Sequence, residues 1–187
     1  MMIKTPLVPV GMEVSGLDIQ SISASLFDEL AQPIASSRVV VFRDQILDDT
    51  SFVQFLQGFG ELTFTEGEKP VENALDLNIV SNLDRQTPPR SVFHTDTSYI
   101  PRPPSFTALR PVLLPEKGGE TLFSDQVRVA ASLPEKARNF LAGRTVLHMA
   151  AGLDGQLETS RQPLFRRHTV TGKKPRCFCL HQSAALN

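Results

Sequence analysis

Apolar positions near the start of the chain switch between strand and helix spacing. Val8 to Val14 reads as a short strand, and Ser23 to Ile34 as a helix whose Leu26 and Leu30 share a face before Pro33 disturbs it. The β-branched run Arg38-Val39-Val40-Val41-Phe42 is too short for a helix and predicts a strand buried on both faces. Asp49 or Thr50 then caps a helix that runs through Phe52, Phe55 and Leu56 to Gly58.

From Thr63 to Arg90 the chain is polar and rich in turn formers, with one predicted strand at Leu77 to Val80 and a loop at Pro88-Pro89-Arg90. Ser105 to Leu109 and Glu120 to Phe123 read as strands, separated by the turn signals Pro115 and Gly118-Gly119. The Ser-x-x-Glu spacing of Ser132 and Glu135 predicts a capping box for a helix through Phe140 and Leu141, which Gly143 stops. Thr145 to Met149 returns to strand character. No internal repeat or low-complexity segment interrupts the chain, so one domain over residues 1–187 is expected, with strands dominant in the middle.

Composition narrows the class. With 41% hydrophobic and 21% charged residues, the chain can bury a sizeable core. Its net charge of −1 and pI near 6.4 provide no basic field for a nucleic-acid backbone or an anionic membrane, so neither is an expected partner. Pro6, Pro9 and Gly11 break the N-terminal apolar positions, against a secretory signal, and no run reaches membrane-spanning length. The two cysteines, Cys177 and Cys179, both lie near the C-terminus and form no disulfide framework, which fits a reducing cytoplasm.

The candidate chemistry sits at His94-Thr95-Asp96. In an extended strand, residues two apart point to one side, so His94 and Asp96 can present an imidazole and a carboxylate to a single ion. The flanking Val92-Phe93 and Tyr99-Ile100 favour that strand. One neutral nitrogen and one anionic oxygen suit iron(II) or manganese, and a second histidine would complete a facial triad with open coordination positions. On its own the tripeptide is common and usually forms a surface hydrogen-bonded pair, so context decides its meaning.

That context is Phe93-His94-Thr95-Asp96-Thr97-Ser98-Tyr99, followed by Pro103-Pro104 and by Gly118-Gly119-Glu120-Thr121-Leu122-Phe123. Earlier come Gly11-Met12-Glu13-Val14-Ser15-Gly16, Val39 to Gln45 and Phe59-Gly60-Glu61-Leu62, and later Arg167 to Lys174. Together they resemble the taurine and 2,4-dichlorophenoxyacetate dioxygenase (TauD/TfdA) family from about Gly11 to Lys174. The resemblance implies a double-stranded β-helix, a jelly-roll of two sheets with flanking helices. It also implies Fe(II) bound by His94 and Asp96, with 2-oxoglutarate as co-substrate and Thr121 donating a hydrogen bond to its distal carboxylate. The implied reaction hydroxylates a small organic acid with dioxygen while 2-oxoglutarate becomes succinate and carbon dioxide.

The family's third ligand, a late histidine, and its 2-oxoglutarate-binding arginine have no recognisable counterpart before Asn187. Residues 175–187 also depart from the family pattern, which implies a C-terminally truncated or frameshifted chain lacking the strands that close the jelly-roll. On the alternative reading the chain is an inactive remnant, at most a weak metal-binding or interaction module. Among substitute ligands, His148 reads as structural, His168 as part of a turn, and His181 with Cys177 and Cys179 as chance tail composition. Phe93 and Tyr99 read as core and Arg90 as a solvated charge. The sequence is compatible with a homo-oligomer and does not fix the oligomeric state.

Overall fold

A computed structural model of the chain describes residues 2–63, 69–81, 93–151 and 157–167, with two-residue strands at 176–177 and 185–186. The described chain forms two compact units, one within Met1–Ser81 and the other within Asn82–Arg166 together with the two late strands.

In the first unit, β1 (Ile3–Pro6) pairs antiparallel with β2 (Met12–Ser15). Residues of β2 alternate, with Met12 and Val14 buried between half-buried Glu13 and Ser15, as a strand with one core face requires. Helix α1 (Ala24–Ser37) carries the chain over to β3 (Val40–Phe42), which pairs parallel with β2 in the register Met12↔Val40. A parallel pair needs such a crossover. Of the expected Val8–Val14 strand only Met12 to Val14 is strand, while Val8 to Val10 bend between β1 and β2. Among the described residues β3 has one neighbour in the order β1-β2-β3, and it is half-buried rather than the strand buried on both faces that its apolar run predicts.

Helix α1 runs past Pro33 to Ser37. The missing N–H and ring of a proline disfavour a helix interior, but Leu30 and Ala35 on either side are buried and hold the last turn in place. Helix α2 (Asp49–Gln57) is capped by Asp48, whose carboxylate accepts from the Ser51 N–H at 2.7 Å, one residue earlier than the sequence pattern predicts. A short antiparallel pair, β4 (Lys69–Val71) and β5 (Ala74–Ile79), follows, with Leu77 buried and β5 in contact with α2.

Aromatic rings lock this unit. Phe55 of α2 lies 5.5 Å from Phe42 and 5.3 Å from Phe59, both near edge-to-face, and Phe27 of α1 stands edge-on to Phe59 at 5.1 Å. Gly58 supplies the space for the Phe27 ring, because a Cβ there would sit 2.3 Å from its tip.

The second unit contains α3 (Gln126–Ser132), α4 (Glu135–Leu141), β6 (Thr145–Ala151), β7 (Leu157–Pro163), β8 (Phe165–Arg166), β9 (Arg176–Cys177) and β10 (Ala185–Leu186). Its main sheet has the order β10-β6-β7, and β6 and β7 pair antiparallel along their whole length, with His148 opposite Ser160 and Val146 opposite Gln162. β8 and β9 form a separate pair. Val146, His148, Gln162 and Leu164 are all buried.

Helix α3 is an element the sequence pattern did not single out. Asp125 caps it by accepting from the Val127 and Arg128 N–H groups at 3.0 and 3.2 Å. The predicted capping box of Ser132 and Glu135 does not form, because Ser132 ends α3 and its hydroxyl donates back to the Val129 carbonyl.

Two predicted strands are irregular chain instead. Ser105 to Leu109 and Glu120 to Phe123 have no ladder partner among the described residues, and Leu109, Leu122 and Phe123 stay exposed, as do Val112, Leu113 and Leu114 between them. Strand composition needs a paired, half-buried surface to act on. Among the described residues no helix is long and apolar enough to cross a membrane.

Substituting Gly58→Ala tests the ring packing. The added methyl must push Phe27 out of the cluster, so the expected cost is about 1–3 kcal/mol of stability, read from the urea midpoint. An unchanged midpoint would show that the ring is free to move aside.

Candidate active site

His94 and Asp96 come together. Their Nε2 and Oδ1 atoms are 3.0 Å apart, and about half of each side chain is open to solvent. The backbone that achieves this is not the expected strand. Residues 93–95 are irregular and residues 96–99 form a turn, closed by the Ile100 N–H donating to the Thr97 carbonyl at 3.3 Å. Thr97 takes φ 50°, in the left-handed region that a β-branched residue rarely adopts. A strand would place the two side chains on one side; here irregular backbone just ahead of the turn brings them together.

What stabilises so unfavourable a turn is burial of the residues after Asp96. Thr97, Ser98 and Tyr99 are 7%, 4% and 9% exposed, against nearly half for Asp96. Ser98 Oγ lies 2.9 Å from His148 Nδ1 on β6, and the Gln162 amide on β7 donates to the Ile100 carbonyl at 2.8 Å and to Ser160 Oγ at 3.1 Å. Tyr99 is core, as its apolar neighbours predict, whereas Phe93 is more than half exposed, against its expected core placement.

The pair fits a small divalent cation. Two donors each about 2.1 Å from an octahedral ion and at right angles to each other lie about 3.0 Å apart, the separation found here. The same distance also suits a hydrogen bond from the imidazole to the carboxylate. The donor set, one borderline nitrogen and one hard oxygen, suits Fe(II) or Mn(II) and is poor for a thiolate-seeking metal.

Thr121 is exposed in irregular chain, and among the described residues no hydrogen bond joins it to the pair. No third histidine, cysteine or carboxylate completes a cluster with the pair among the described residues. His148, read from the sequence as structural, is buried and bonded to Ser98. His168, His181, Cys179 and Arg90 lie outside the described residues, as do the side chains of Cys177 and the remainder of the 175–187 tail. Ser98 enters the sequence reading only as a member of the motif 93–99, with no role of its own, and Gln162 not at all, because neither residue type points by itself to this contact.

The family model described as taurine catabolism dioxygenase TauD, TfdA family matches residues 4–185, spanning the His94-Thr95-Asp96 turn and Thr121. The chain belongs to this family. Among TauD/TfdA relatives, the chain is 29% identical over 204 residues to an alpha-ketoglutarate-dependent sulfonate dioxygenase of Saccharomyces cerevisiae, covering 95% of this chain and 48% of that protein. A crystal structure of a Burkholderia xenovorans protein assigned as an alpha-ketoglutarate-dependent taurine dioxygenase superposes with a TM-score of 0.83 at 29% identity, over 100% of this chain and 65% of that one. A taurine dioxygenase of the same organism gives a TM-score of 0.78 at 27% identity, over 95% of this chain and 63% of that one. The chain therefore shares the fold of part of these dioxygenases and spans about half the length of the yeast relative.

His148 yields a pH prediction. Burial pushes its imidazole below the ordinary value of 6.5, because the charged ring loses its hydration. The unfolded chain then takes up a proton near pH 6.5, the folded chain only at lower pH. This contribution to stability is complete above about pH 6.5 and is lost as the pH falls below it. Calorimetry is expected to show the melting temperature dropping more between about pH 7.5 and 5.5 in wild type than in His148→Asn; equal drops would contradict the assignment.

Proposed function

We propose that the protein is an Fe(II)- and 2-oxoglutarate-dependent dioxygenase that hydroxylates a small organic acid, built on a jelly-roll and working in the cytoplasm without nucleic-acid or membrane partners. The observation that carries this reading is the open His94–Asp96 pair at 3.0 Å, in a chain of the TauD/TfdA family. The yeast relative's name specifies a sulfonate, which belongs to the substrate class proposed here.

His94 and Asp96 would hold Fe(II) by one nitrogen and one oxygen, leaving coordination positions for 2-oxoglutarate and dioxygen. When bound, the metal supplies the activation of dioxygen that oxidatively decarboxylates 2-oxoglutarate. The overall balance is substrate C–H, dioxygen and 2-oxoglutarate going to substrate C–OH, succinate and carbon dioxide. Thr121 would donate one charge-assisted hydrogen bond to the distal 2-oxoglutarate carboxylate, aimed by the Gly118-Gly119 turn, whose φ values of 78° and 80° suit glycine.

One observation favours a second reading: among the described residues no third ligand joins the pair. On that reading the chain binds metal weakly and serves as an interaction module without turnover.

Anaerobic titration with Fe(II) and 2-oxoglutarate separates the two. The dioxygenase reading predicts a weak visible charge-transfer band that His94→Ala and Asp96→Ala abolish, and succinate formation on admitting air. Thr121→Ala is expected to weaken 2-oxoglutarate by about 10- to 100-fold, the loss of one hydrogen bond to a charged group. Absence of the band in wild type would overturn the dioxygenase reading for this chain.

A further inference from the structure

His94 and Asp96 both face solvent. Each is about half exposed, and a solvated carboxylate gains almost nothing from burial of its own. The three residues that follow Asp96 are buried, and their segment is bonded to the β6–β7 hairpin at Ser98 and Ile100. Two polar ties fix them there, one from each strand. Ser98 Oγ meets His148 Nδ1 at 2.9 Å, and the Gln162 amide donates to the Ile100 carbonyl at 2.8 Å.

The strand register joins the ties. His148 stands opposite Ser160, and Ser160 Oγ accepts from the same Gln162 amide at 3.1 Å. Ser98, His148 and Gln162 are 4%, 1% and 3% exposed, so this is a buried polar row in which a broken bond costs the desolvation of both partners. An apolar pair of similar size would seal the same space. It would not resist rotation of a turn whose Thr97 sits in a left-handed conformation, because packing is far less directional than a hydrogen bond.

We infer that His148 is a positioning residue of the metal centre: through Ser98, with Gln162 as the second tie, it holds the 96–99 turn so that the Asp96 carboxylate faces His94. This rests on the reading of His94 and Asp96 as ligands. The Ser98–His148 bond forms whichever ring tautomer is present, since the hydroxyl can donate to Nδ1 or accept from it. Burial favours the neutral ring, consistent with the lowered pKa of His148.

The test is Mn(II) binding to the whole chain, followed by loss of the free-ion electron paramagnetic resonance signal at a temperature where circular dichroism shows every variant folded. Ser98→Ala and His148→Leu are each expected to raise the Mn(II) Kd about tenfold, the lower end of what support of a ligand is worth. His148→Asn, whose amide reaches the position of Nδ1, is expected to restore binding to near the wild-type value. A purely structural role would lower melting temperatures and leave the Kd of the folded variants unchanged. Ser98→Ala removes a single oxygen and keeps the test readable if His148→Leu does not fold. Wild-type affinity in Ser98→Ala, or equal weakening by His148→Asn and His148→Leu, would overturn the inference while leaving the ligand assignment intact. If His94→Ala binds Mn(II) as tightly as wild type, the ligand assignment itself falls, and the inference with it.

Discussion

The His94 imidazole and the Asp96 carboxylate, 3.0 Å apart, stand immediately before a backbone reversal at Thr97, a β-branched residue at φ 50°. Such a conformation costs on the order of 1–3 kcal/mol and persists only where its surroundings over-determine it. Here the surroundings are the buried Thr97, Ser98 and Tyr99 side chains and the hydrogen bonds to His148 and Gln162. The chemistry-bearing side chains are solvated, and the residues that aim them are buried. This division of labour leaves the His94 and Asp96 side chains open while the turn after them is bonded to a sheet.

The two units solve different packing problems. In the first, edge-on phenylalanines of α1, α2 and β3 fill the space between a short sheet and its helices, and Gly58 is the residue that lets Phe27 in. In the second, the β6–β7 hairpin buries a histidine and a glutamine beside Val146 and Leu164. Burying polar groups there is justified by the bonds they make to the turn, since an unmade bond in that place would be costly.

The sequence made the site easier to read than the fold around it. The closeness of His94 and Asp96 was legible because the motif puts them two residues apart, without knowledge of backbone shape. The strand assigned to them was not, because Val92, Phe93, Tyr99 and Ile100 have strand composition whether or not a ladder partner exists. The same reason accounts for Ser105–Leu109 and Glu120–Phe123, whose apolar residues remain exposed. Elements with strong periodicity, α1, α2 and β6, appear where the pattern puts them, shifted at their ends by caps such as Asp48 that compete with neighbouring carboxylates. Helix α3 was missed although Asp125 is a good cap, since seven residues give too little period to recognise. Ser98 and Gln162 could emerge only from tertiary contacts.

The central claim is that His94 and Asp96 bind one cation jointly. Imidazole nitrogen resonances of the 15N-labelled protein, followed during sub-stoichiometric Mn(II) addition, test it most directly. The His94 Nε2 signal is expected to broaden first, and Asp96→Ala to remove this selectivity. Survival of the His94 signal at equimolar Mn(II), or broadening that persists unchanged without Asp96, would contradict it.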